Sequence, residues 1–230
     1  MAMRQFCFFA AVAITGHTGA TFGAFVQPSG WARPMDDATA TVAQTTFQEW
    51  NIFTTAAGPN APDVAEVNPS GTADAFDSNA GSPPTGSGAF VTSGGNIYSP
   101  AGVIKPRIII PQPNAGPGYF TEVLLQVKVL GSDIATGDLT VDGVPIATLG
   151  NYSYAELSRV ELGGLGGFAV EHLWAFTLPG NTAAFSVLIP NGATSVSLDR
   201  VAVDTFAVVP EPAVASASAV ATLVLRRRRF

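Results

Sequence analysis

Apolar and polar residues alternate along several stretches of this chain. In residues 121–130 (TEVLLQVKVL), Val123, Leu125, Val127 and Val129 fall on one side and Glu122, Gln126 and Lys128 on the other. A period of two is that of a strand with one face in a core. Trp174, Phe176 and Leu178 set the same rhythm within 168–178, and Phe185, Val187 and Ile189 within 184–190. Residues 195–208 keep it at Val196 and Leu198, step by three to Val201 and Val203, and step again to Phe206 and Val208. The steps, at Asp199-Arg200 and Asp204-Thr205, each predict one extra residue in the strand, a β-bulge. Residues 46–53 (TFQEWNIF) read as a strand apolar on both faces, with Phe47 and Phe53 opposing Trp50 and Ile52. Shorter strands are predicted at 72–76, 89–92 and 97–98. Residues 152–162 fit a strand through Tyr152, Tyr154, Val160 and Leu162, or a helical turn over 155–159. No element is predicted between Phe53 and Ala73.

Turn signals join these runs. Asp142-Gly143 separates 139–141 from 144–146 and predicts a hairpin with a type I′ turn. Pro145 lacks an N–H, so its strand belongs at an edge. Asn191-Gly192 predicts a second hairpin, joining 184–190 to 195–208. Both Gly143 and Gly192 are expected at positive φ. Residues 80–88 (AGSPPTGSG) are a loop. The 24 glycines and 17 prolines in 230 residues exceed the average share of about 12%, and no tandem period marks a solenoid. Many short strands joined by turns predict an all-β fold, an antiparallel β-sandwich, occupying residues 21–209.

The two ends are of another kind. Residues 1–4 carry one positive charge, 6–14 (FCFFAAVAI) are apolar, and 15–20 are mostly small. That is the layout of a secretory signal peptide, a helix too short to span a membrane, covering residues 1–20. Small residues at Thr18 and Ala20 place cleavage after Ala20, with Ala24 as the second choice. Cys7, the only cysteine, lies in the apolar run, with too few residues before it for a lipoprotein signal. Disulfides, thiolate zinc sites and a cysteine nucleophile are therefore excluded from the rest of the chain. At the other end Pro210-Glu211-Pro212 precedes a weakly apolar run, 213–225, closed by Arg226, Arg227, Arg228, Arg229 and Phe230. The prolines cannot continue a helix or a central strand. A helix over the run is about 20 Å long, against a hydrocarbon core of about 30 Å. Snorkelling arginines recover some length and stay on the cytoplasmic side.

This order over residues 210–230 resembles the PEP-CTERM sorting signal of Gram-negative and related bacteria. The resemblance implies that an exosortase, a membrane cysteine peptidase, recognises the tail after delivery by the export machinery. The apolar run departs from a strong span, with Ser216, Ser218 and Thr222 and no glycine. The order of segments 46–53, 120–131, 157–174 with its 163–167 loop, and 197–206 is similar to that of secreted PEP-CTERM proteins with jelly-roll sandwiches. That likeness implies a jelly-roll-like fold and no known activity.

Charge and chemistry narrow the function. Charged residues are 12% of the chain, about half the usual share. Between residues 21 and 209 stand 16 acids and 6 bases, a balance that repels phosphate backbones and anionic lipids, so no nucleic-acid partner is expected. His172 is the only histidine beyond the signal segment, too few for a catalytic zinc site. There is no G-x-S-x-G elbow. The GGLGG run at 163–167 has no cation beside it to hold phosphate. No catalytic residue is assigned. Asp74, Asp77 and Asn79 form an oxygen-rich loop and are the candidate calcium ligands; no other cofactor is expected. Trp31, Trp50 and Trp174 are candidates to stack on sugar rings.

The expectation is a secreted, non-catalytic envelope or extracellular-matrix sandwich. Its C-terminal tail holds it transiently at the inner membrane, and extracellular polysaccharide is a candidate partner. The alternative is a carbohydrate-binding module, or a glycan-active enzyme using two carboxylates about 5–9 Å apart, on the same fold.

Overall fold

The computed structural model describes residues 25, 45–66, 72–113, 116, 118–149, 151–179, 184–190 and 193–209. The strands in chain order are β1 (Thr45–Trp50), β2 (Val64–Glu66), β3 (Asp74–Asp77), β4 (Phe90–Val91), β5 (Ile97–Tyr98), β6 (Pro106–Ile110), β7 (Phe120–Gly131), β8 (Thr140–Val141), β9 (Val144–Pro145), β10 (Tyr152–Glu161), β11 (Phe168–Pro179), β12 (Phe185–Leu188) and β13 (Val196–Val208). They form two antiparallel sheets. The larger runs β10-β11-β7-β13-β1-β2, with β5 on β13 beyond the end of β1 and β4 outside β5. The smaller runs β3-β6-β12-β8-β9.

One core joins the sheets, as the all-β sandwich reading expects. Val123, Leu125, Val127 and Val129 of β7 are buried in it with Trp174 and Phe176 of β11, and with Ile108, Ile110, Phe185 and Val187 of the smaller sheet. Fully burying one such side chain contributes about 1.5–3 kcal/mol. The outward face of the larger sheet is also covered at its centre. There Phe25 packs with Phe47 and Ala202, and the Arg200 guanidinium lies 5.3 Å from the Phe25 ring centre.

That second buried face explains one departure from the sequence reading. Only one bulge interrupts β13, at Asp199, where the register shifts between Leu198 and Arg200. Beyond it the alternation runs unbroken, so Thr205 faces inward opposite Val123 and Phe206 faces outward opposite Glu122. Phe47 is outward as well, while Phe53 joins Trp50 in the core because β1 stops at Trp50 and the chain folds back. Ile52 is left 57% exposed.

The Asp142-Gly143 turn forms as expected. Its φ values are 49° and 80°, and Pro145 lies on β9, the outermost strand of the smaller sheet. The second expected hairpin does not exist. β12 belongs to the smaller sheet and β13 to the larger, so the chain between them crosses the sandwich. Asn191 and Gly192 themselves lie outside the described residues. Residues 152–161 are a strand, with a bulge at Leu157. Two strands arise where none was expected, β2 and β6. In β6 three consecutive isoleucines hide an alternation in which Ile108 and Ile110 are buried and Ile109 is not.

The signal segment with Ala20, Pro210-Glu211-Pro212, the apolar run and Arg226 to Arg229 lie outside the described residues. Among the described residues no helix is long and apolar enough to cross a membrane.

Two glycines separate backbone strain from crowding. A Cβ on Gly143, at φ 80°, would meet nothing within 4 Å. A Cβ on Gly167, at φ 85°, would stand 2.4 Å from the Gly131 carbonyl oxygen. Gly143→Ala should cost about 1–2 kcal/mol, from its left-handed backbone alone. Gly167→Ala should cost more, since the strand pair β7–β11 must part to admit it. Urea unfolding of both variants checks the order; equal losses would contradict the close approach of residues 131 and 167.

Candidate functional site

β10 is the outermost strand of the larger sheet, and most of its residues reach solvent. Its inward side forms a ledge beside the core. On β11, His172 and Trp174 continue the core alternation and are completely buried. Register with β10 sets Tyr154 opposite Trp174 and Glu156 opposite His172. The bulge at Leu157 then brings Arg159 opposite Val170, on the same inward side. The bulge thus places a cation beside Glu156 on one face. The chain leaving β7 passes this face on its way to the smaller sheet. It sets Asp133 beside His172, and the Thr136 carbonyl accepts a hydrogen bond from Trp174 Nε1 at 3.2 Å.

Three rings stack here. Tyr154 lies 6.0 Å from His172 at 28° and 5.5 Å from Trp174 at 45°, and His172 lies 5.5 Å from Trp174. Tyr154 Oη and His172 Nδ1 are hydrogen-bonded at 3.0 Å. His172 Nε2 stands 3.0 Å from Asp133 Oδ1. Arg159 donates through Nε and Nη2 to the two oxygens of Glu156, at 2.9 and 2.7 Å, and through Nη2 to Asp133. Its guanidinium also lies 5.2 Å from the centre of the Phe168 ring.

The charges follow from this packing. Burial pushes the His172 pKa down, against the pull of Asp133 and Glu156, so the imidazole is neutral. Burial, then the nearby Glu156 and Asp133, push the Tyr154 phenol up. Hydrogen bonds from Arg159 hold Glu156 below the usual carboxylate range, and the same bonds raise Arg159. A phenol held protonated against a neutral imidazole is a hydrogen-bonding platform.

The oxygen-rich loop is arranged differently from a metal cradle. Asp77 is buried, and its carboxylate accepts from the Asn79 and Lys105 backbone N–H groups at 2.9 and 2.8 Å and from Ser87 Oγ at 2.5 Å. The Asn79 side chain donates to the Val103 carbonyl. Asp74 alternates to the other face of β3, where it accepts from the Asn60 N–H at 2.7 Å. The structure therefore brings Asp77 and Asn79 together as a brace and turns Asp74 away. Among the described residues no three His, Cys, Asp or Glu side chains converge on one point.

Two of the three tryptophans offered as sugar platforms are core residues. Trp50 and Trp174 are fully buried, and Trp50 Nε1 donates to the Asn60 carbonyl at 2.8 Å. Trp31 lies outside the described residues. Among the described residues the exposed aromatics are instead Tyr152, Tyr154 and Phe168 on the ledge, and Phe90 and Phe120 elsewhere. An open groove of about 690 Å3 lies beside Phe90, between residues 54–57 and 80–91, and no ionisable side chain lines it.

Comparison with family models, with curated proteins and with solved structures finds no match to this chain.

Two measurements test this local chemistry. A base whose folded pKa lies below its ordinary 6.5 binds protons more readily when unfolded, so its contribution is intact above about 6.5 and is lost as pH falls below it. The melting temperature should therefore drop between pH 7.5 and 5.5, and drop less in His172→Gln. Glu156 titrates below this window, and Glu122, raised by burial, acts in the opposite direction in both proteins. Equal drops would remove His172 as the responsible group. Separately, Asp77→Ala strands three donors and should cost about 3 kcal/mol. Urea unfolding should give that loss equally in calcium and in EDTA.

Proposed function

We propose that this chain is an exported, non-catalytic envelope or extracellular-matrix module, sorted through a C-terminal PEP-CTERM tail by an exosortase. The observation that carries the reading is where the last strand of the domain ends. β13 ends at Val208, and Pro210-Glu211-Pro212 follows with only the exposed Val209 between them. A proline-flanked segment directly following the last strand in sequence suits a peptidase that takes its substrate as a strand. The apolar run is too short and too hydroxylated for a lasting anchor. The arginine cluster would hold its end at the cytoplasmic face during export.

The path of the chain supports the same reading. Thr45, at the start of β1, pairs with Phe206 near the end of β13. The chain therefore enters and leaves the larger sheet at one pole. The acidic character of residues 21–209 suits a domain held off an anionic membrane surface.

Mature protein from the native host should lack Arg226 to Phe230, with the cut near Pro210 to Pro212. Replacing Pro210-Glu211-Pro212 by three alanines should leave an uncut, membrane-retained precursor. Intact-mass measurement of the extracellular protein decides this, and secreted chains still ending in Phe230 would refute the cleavage and the sorting role together.

A further inference from the structure

We propose that the ledge formed by Tyr152, Tyr154, Glu156, Arg159, Phe168 and Asp133 binds a neutral polysaccharide chain. All six lie on the inward side of β10 and its surroundings, beyond the dense core. The aromatics come first. Tyr152, Tyr154 and Phe168 are 37%, 36% and 40% exposed. Tyr152 and Tyr154 sit two residues apart on one face, about 7 Å along the strand, and the ledge from Tyr152 to Phe168, which pairs with Glu161, is about 25 Å long. That is room for several hexose rings. The C–H faces of a pyranose pack on aromatic rings, and tyrosine offers that surface with little side-chain entropy to lose.

Tyr154 is also held in place before any ligand arrives. Its hydroxyl is tied to His172 and its ring leans on His172 and Trp174. A platform fixed in advance loses less freedom on binding.

The polar groups complete the chemistry. Asp133, Glu156 and Arg159 remain about one-third exposed, at 32%, 37% and 35%. They orient one another through the guanidinium, which leaves carboxylate lone pairs to accept from sugar hydroxyls. Two carboxylates against one guanidinium, with Glu161 beside them, leave the ledge negative. That balance disfavours uronate or sulfated chains and selects a neutral one. The open groove beside Phe90 lacks this combination, having no ionisable group.

The ledge also faces the right way. Pro179 of β11 and Val208 of β13 lie against Phe120 at the pole where the tail leaves, whereas Phe168 lies against Gly131 at the opposite pole. The ledge reaches towards that far pole. The inference does not depend on sorting: an uncut tail would leave binding intact, and absent binding would leave the tail reading untouched.

The test is native affinity electrophoresis of the full-length protein in mild detergent, in gels containing dextran, galactomannan, hydroxyethyl cellulose or polygalacturonate. At least one of the three neutral polymers should retard the protein, and polygalacturonate should not. Tyr152→Ala and Phe168→Ala, both at exposed positions, should each weaken retardation at least about tenfold, while Phe90→Ala leaves it unchanged. Melting curves confirm that the variants are folded. No retardation by any neutral polymer would overturn the proposal. So would retardation that both ledge variants retain, or stronger retardation by polygalacturonate.

Discussion

β13 pairs with β7 along its whole length, from Val196 against Gly131 to Val208 against Phe120. Every other strand of the larger sheet is placed by one of these two or by a neighbour of one. Their inward residues form cross-strand pairs, Leu125 with Val203 and Val127 with Val201, that sit at the bottom of the core. The pairing joins segments far apart in sequence, so its loop-closure entropy must be met before the contacts are gained. It also makes the last strand of the domain a central one. The larger sheet cannot be completed until residue 208 is free to pair, and the Pro-Glu-Pro unit starts two residues later. A tail held in the membrane during export would therefore keep the end of β13 close to the surface while the sheet forms around it.

The long loops are held by side chains in place of a ladder. Asn60 shows how. Its Oδ1 accepts from the Thr54 and Thr55 N–H groups, its Nδ2 donates to the Thr55 and Ala75 carbonyls, and its own carbonyl accepts from Trp50 Nε1. One buried amide thus satisfies a stretch of irregular backbone that would otherwise strand polar groups beside the core. Asp77 does the same between β3 and the loops at Asn79, Ser87 and Lys105. Asp74 and Asp77 resemble metal ligands in the sequence because backbone N–H groups and cations both want carboxylate oxygen.

This contrast marks what was legible in the sequence. β7, β11 and the Asp142-Gly143 turn announce themselves, because alternation and positive φ are local properties of a few residues. The pairing partner of a strand is not local. Asn191-Gly192 reads as a hairpin turn, yet the strands before and after it, β12 and β13, belong to different sheets. The second expected bulge in β13 fails for a related reason. An apolar Phe206 signals a core face only if the other face is wet, and here Phe25 and Phe47 help to bury that other face. The ledge was the least legible feature. Tyr154 and His172 lie 18 residues apart and Arg159 and Asp133 26 apart, and it takes the β10–β11 and β11–β7 registers and one bulge to bring them together.

β10 carries a further constraint. A ten-residue strand at the rim of a sheet presents unpaired backbone groups to any passing strand. The other rims are guarded by brevity: β2, β3, β4 and β9 have three, four, two and two residues, and β9 contains Pro145. β10 is too long for that defence. It has instead a bulge at Leu157 and the charges of Glu156, Arg159 and Glu161, which twist the edge and make a second strand costly to add. The same bulge and charges shape the ledge. A sugar chain offers hydroxyls and C–H faces but no ladder of amides, so it can lie along this rim without extending the sheet. The features that keep β10 from templating another strand are thus compatible with the extended polymer proposed for the ledge.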